Sequence, residues 1–184
     1  MATNLGQLPR AIFGGATVAT ADIAADAVTS AKIAANIVAT ADLDISTIQT
    51  AEVALTNTNV LALRATPITL VAAPGAGKIT EFISATLIFD YTAAYTESTA
   101  NLAVRYTDGS GTIVSQAIEA TGFADATADT STNALAKIDV ISAKTACENK
   151  LLCLHNTGAG EWGGGNAANA LRVKVAYRVW STGW

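Results

Sequence analysis

Reactive side chains are scarce in this sequence: one His, two Cys and one Met among 184 residues. Cys153 and His155 stand at C-x-H spacing, with Cys147 six residues upstream. On a strand, residues i and i+2 share a face, so Cys153 and His155 could begin a zinc site. Zinc needs further ligands and this is the sole histidine, so the pattern reads better as a filler cysteine and a solvent-facing histidine. Cys–His nucleophilic catalysis requires an orienting third group, and no neighbouring residue is placed to be one. Two cysteines alone leave open whether Cys147 and Cys153 pair or stay free.

Other short motifs imitate ligand loops. Ala73-Pro-Gly-Ala-Gly-Lys78 has the Gly-Lys of a phosphate loop, but Ala72 replaces the first glycine and Ile79 the Ser or Thr. A phosphate loop also opens a helix, whose N–H groups and dipole face the anion, whereas a strand follows here. A Pro-Gly turn joining two strands is the better account. Asp108-Gly-Ser-Gly111 carries one carboxylate, so it reads as a turn rather than a calcium loop. Gly163-Gly-Gly165 beside Trp162 marks either a mobile tip or a close approach. The acidic residues after position 60 are scattered singly, without the paired carboxylates a glycan depolymerase would use. The expectation is a protein that is not an enzyme and takes no cofactor and no metal.

Bulk composition narrows the partners. Charged residues make up 14% of the chain and the formal net charge is −4, with no basic stripe to attract a phosphate backbone. No run approaches the roughly 18 apolar residues of a membrane span. Nucleic acid and membrane are therefore not expected partners. Met1 to Arg10 lack a basic region followed by a compact apolar one, so the expectation is synthesis in a cytoplasm without processing.

The elements that must position these residues fall into two halves. Ten of the eleven aromatic residues lie after residue 60, leaving Phe13 alone before it. Large side chains supply most buried area, at about 25 cal/mol per Å2, so residues 1–59 lack the means to build an ordinary core. The boundary is placed at Thr56-Asn57-Thr58-Asn59, giving segments 1–59 and 60–184.

Residues 1–59 instead carry a repeat. Phe13, Val18, Ile23, Val28, Ile33, Val38, Leu43, Ile48 and Val53 recur every five residues, nine times without a slip. Small residues stand two positions before most of them (Ala11, Ala16, Ala21, Ala31, Ala41, Ser46, Ala51), and a ten-residue unit overlies the pentad, as in Thr20-Ala-Asp-Ile23 and Ser30-Ala-Lys-Ile33. On an α-helix five residues advance about 500°, so such anchors would spiral around the surface. On a straight strand an odd period alternates faces. The chain must turn repeatedly, as a thread with one apolar residue per pentad directed at an axis. A flexible Ala/Thr-rich linker has no reason to keep such register. A single-chain pentapeptide solenoid would have only about two coils, too few to stand without a partner. Several copies wound together would bury what one cannot.

The second half reads as antiparallel β. Odd positions from Ile79 to Tyr91 suggest a long half-buried strand, Leu102 to Tyr106 and Thr112 to Ile118 flank the Asp108 turn, and Leu171 to Val179 has one greasy and one basic face. Residues 122–136 read as a long surface loop. The expected fold is mainly β: a short pentad-repeat thread followed by an antiparallel, jelly-roll-like β-sandwich.

Ala21-Asp-Ile-Ala-Ala-Asp-Ala-Val-Thr-Ser-Ala-Lys-Ile-Ala34 resembles the ten-residue repeats of tail-fibre and head-decoration proteins of tailed bacteriophages. Residues 65–91 are similar to the opening of a small phage virion β domain, and residues 148–154, 156–158 and 173–179 to its closing strands. The resemblance implies a virion component, commonly trimeric, with a thread attaching to the particle and a β-rich knob outside. Because the repeat is short and lacks Asp-Gly turns, it favours a decoration or cement protein on the capsid surface over a long shaft. Its partners would be itself, as a homotrimer, and the major capsid protein, with the nine anchors providing oligomerisation and attachment. The alternative is a short head or tail fibre whose knob binds host-surface glycans, with Tyr91, Tyr95 and Trp162 stacking on sugar faces.

Overall fold

The computed structural model describes residues 47–97, 101–138 and 140–183. Seven of the nine anchors, Phe13 to Leu43, lie outside the described residues, as does Trp184. The described part is mainly β and its strand pairs are all antiparallel. A four-stranded sheet has the order β1 (Gln49–Thr56), β9 (Ala170–Ser181), β3 (Lys78–Asp90), β6 (Thr130–Leu135). A three-stranded sheet runs β2 (Ile68–Val71), β7 (Leu152–Asn156), β5 (Leu102–Tyr106). A two-stranded ribbon pairs β4 (Tyr95–Thr96) with β8 (Gly163–Gly164). One hydrophobic cluster takes Leu55, Leu87, Phe89, Leu171 and Val173 from the first sheet and Leu70, Val104, Leu152 and Leu154 from the second.

Residues 49–56, on the N-terminal side of the boundary expected at residue 59, form a strand of the four-stranded sheet. β1 pairs with β9 from Gln49↔Tyr177 to Thr56↔Ala170, so the end of the repeat is already an edge strand of the β unit. Val53 lies opposite Val173 and packs against the core, whereas Ile48, just before the strand, is 57% exposed. Alternation explains the change of role: Ala51, Val53 and Leu55 face inward while Glu52 and Ala54 face out. Thr56 and Asn59 form a reciprocal capping box that turns the strand into the short helix α1 (Asn57–Leu61).

β9 is the double-faced strand its sequence promises. Leu171, Val173 and Val175 are buried, while exposed Arg172 and Lys174 both reach Glu52 at 3.6 Å across the outer face. β3 departs from its expected phase. Phe82 pairs with Tyr177 but Ser84 with Ala176, a bulge that inserts one residue. Below it the inward residues are Thr80 and Phe82; above it they are Ala85, Leu87 and Phe89. The surface loop expected at 122–136 is also corrected, because Thr130–Leu135 is the edge strand β6, in register with β3 from Phe89↔Thr130 to Ser84↔Leu135. The run from Thr112 to Ile118 makes isolated bridges, Ile113 to Arg105 and Ile118 to Leu102, rather than a strand. Among the described residues, no helix is long and apolar enough to cross a membrane.

Candidate functional site

The chemistry-bearing residues of the sequence converge on the outer face of β7. Leu152 and Leu154 face the shared core, which sends Cys153 and His155 to the opposite side. That side is covered: the 107–111 turn folds back over it, and a Cβ on Gly109 would lie 2.4 Å from His155 Nε2. The expected solvent-facing histidine is therefore corrected, since His155 is 5% exposed and Cys153 1%. Arg105 secures the covering turn by donating to the carbonyls of Gly109 and Gly111. Asp108 closes the turn by accepting from the Ser110 amide at 2.8 Å and its hydroxyl at 2.6 Å. Beside it, both carboxylate oxygens of Glu161 accept backbone N–H groups, from Arg64 at 3.0 Å and Ala65 at 2.7 Å.

A cleft of about 630 Å3 remains between these pieces, lined by Arg64, Arg105, Ser110, His155 and Glu161. Its titrations run against nucleophilic use. Burial pushes the Cys153 thiol up to about 11, with Asp108 adding to the rise. Burial, then Arg105 and Arg64, holds His155 below the usual histidine value. A reactive cysteine needs the reverse, a thiolate stabilised by a cationic neighbour. Cys147 and Cys153 are both buried and free. Among the described residues, no three His, Cys, Asp or Glu side chains come together as metal ligands.

Tyr91, Tyr95 and Trp162, expected as a sugar-stacking surface, are brought together, but inside. Trp162 and Tyr95 are each 4% exposed and stack at 6.0 Å between centroids. Phe89 packs on Tyr95 at 5.4 Å and on Tyr91 and Phe123 at 6.2 Å. Tyr91 is half-buried against the same core. The cluster closes the end of the four-stranded sheet where β3 finishes and β9 starts. There, Asn169 Oδ1 accepts from the amides of Thr92 and Ala93, and its Nδ2 donates to the Ala93 carbonyl at 2.7 Å. Gly165 explains the glycine run as a close approach: at φ +73 it lies where a Cβ would come within 2.5 Å of Asn57 Oδ1 and the Tyr95 ring.

The opposite end was not singled out by sequence. Of the seven exposed large hydrophobic residues among the described residues, six belong there: Ile48, Leu135, Ile138, Val140, Ile141 and Trp180. Register brings Ile48, Leu135 and Trp180 towards this end, since Gln49 and Phe82 both pair with Tyr177, Ile79 pairs with Trp180 and β6 ends opposite Ser84, and the 137–142 segment joins them where Lys137, Val140 and Ser142 line a hollow beside Ile79. Between the sheets a hollow of about 410 Å3 is lined by Ile79, Phe82, Tyr106, Val114, Val140 and Cys147. The carboxylates near it are already paired, while Lys137 stands exposed at its rim: Glu81 accepts from Arg178 at 3.0 Å and Trp180 Nε1 at 2.7 Å, and Glu148 meets Lys144 at 3.6 Å and Thr182 at 2.9 Å.

No protein family matches the chain, and no curated protein matches it. Among solved structures, a chain of the one described as the cyanophage Pam1 capsid asymmetric unit is similar to it, with a TM-score of 0.40 and 19% sequence identity over 72% of this chain and 83% of that one.

Proposed function

We propose that this chain is a non-enzymatic structural protein of a tailed-bacteriophage particle, a homotrimeric decoration or cement protein of the capsid surface. The observation that carries the reading is the five-residue recurrence of nine apolar anchors from Phe13 to Val53, running into the first strand of the β unit. One thread of that kind buries too little to stand alone, and three wound together bury it against one another. Binding that exists only in the assembled state then reinforces the shell by mass action. Threefold closure matches local symmetry axes of an icosahedral shell. We read the two sheets over their common core as a jelly-roll-like β-sandwich serving as the external knob. The glycan-binding alternative loses the aromatic surface it relied on, because Tyr95 and Trp162 belong to the core.

Light scattering of the full chain and of Ile33→Asp tests the proposal. The expected outcome is a homotrimer that weakens, and detaches from particles, when the anchor is charged. A stable monomer whose attachment to particles survives Ile33→Asp would overturn it.

A further inference from the structure

The apolar end of the four-stranded sheet is where the repeat enters the β unit, at Thr47 and exposed Ile48. Forty-six residues of the chain precede that point. If threads from several copies share an axis, their last residues lie within a thread's width of one another. The β units are then brought together end first, by the end carrying Ile48. That end presents both halves of a packing contact. Ile141 is 95% exposed and Ile138 74%, so each projects from the link between β6 and the short helix α2 (Lys144–Cys147). Beside them opens the hollow of about 410 Å3 lined by Ile79, Phe82, Val140 and Cys147. Its bordering carboxylates have internal partners and Lys137 stands exposed at the rim, so covering the hollow strands neither Glu81 nor Glu148 without a cation. An apolar projection next to an apolar recess on one surface suits a head-to-tail contact that closes into a ring.

We infer that β units of neighbouring copies meet through this end, with Ile141 of one copy seated in the Ile79–Val140 hollow of the next. The inference deepens the proposed assembly and rests on it. The patch is thus committed to a second copy of this chain rather than to the capsid protein.

Cys147 in the hollow supplies a native reporter. The full chain carrying Ile141→Cys is oxidised with a copper catalyst and resolved by non-reducing denaturing electrophoresis, beside light scattering of the untreated sample. The expected result is covalently linked chains up to a closed trimer, lost when Cys147→Ser is added. A trimer by scattering whose chains stay unlinked, link only within one chain, or link independently of Cys147 overturns the inference and leaves the proposed function standing. A monomer by scattering overturns both. Ile141→Asp, at a position without core contacts, is expected to weaken self-association about tenfold per contact. Unchanged mass on equal dilution, with loss of particle attachment instead, assigns the patch to the capsid protein and overturns the inference.

Discussion

The two ends of the four-stranded sheet are built from similar strands and finished in opposite ways. At one end Phe89, Tyr95, Phe123 and Trp162 fill the gap between sheets, and Asn169 engages the backbone of Thr92 and Ala93. At the other, Ile138, Val140 and Ile141 stand exposed around an apolar hollow. A chain that worked alone would gain by closing both, since exposed aliphatic patches of this kind invite association. The difference teaches that the closed end serves folding, whereas the open end leaves apolar surface free for the contact inferred above between copies.

Three measurements break or sharpen that contrast. Trp162→Ala, in the closed end, is expected to cost about 3–5 kcal/mol, read as a lower urea midpoint. A loss within the scatter of surface substitutions would show that the aromatic cluster is not structural. Tyr106 tests the floor of the open end, where its hydroxyl donates to the Thr80 carbonyl at 2.6 Å. Burial raises this tyrosine from 10.0 to about 12, with Cys147 and Glu81 contributing. The unfolded chain thus gives up this proton first, so the stabilisation is full below pH 10 and declines as pH rises from 10.0 towards about 12. Tyr106→Phe should flatten that part of the alkaline limb and cost about 1–2 kcal/mol at neutral pH. An alkaline limb identical in the variant would place the titration elsewhere. Smallest is Ile141→Ser, expected to move monomer stability by less than about 0.5 kcal/mol. A larger shift in a denaturation curve taken under dissociating conditions would mean that Ile141 supports the fold itself.

Legibility followed the range of the forces involved. β5, β9 and the Asp108 turn were readable because their alternation and turn residues are local. β6 was not, because Thr130-Ser-Thr-Asn-Ala-Leu135 has no apolar alternation and becomes a strand only by pairing with β3. Alternation gives the phase of β3 from Ala85 to Phe89 and inverts it from Ile79 to Ile83, since the bulge that separates them is set by Tyr177 and Ala176 on a strand about a hundred residues away. Local sequence puts His155 and Trp162 at the surface because their covers, the turn at Gly109 and the aromatic neighbour Tyr95, come from distant segments. The open end left no mark in sequence beyond scattered aliphatics, and only the register gathers them. The repeat, by contrast, was legible as a pattern, although its last member proved to be an ordinary strand residue.

The covered face of β7 has a consequence for chemical durability. Burial pushes the Cys153 thiol up to about 11, so it stays protonated at neutral pH. Thiolates are the form that peroxides and disulfides attack, and this thiol is also 1% exposed. Protonation and burial together protect that sulfur from the oxidation a surface thiolate would undergo, so it stays reduced without a disulfide partner.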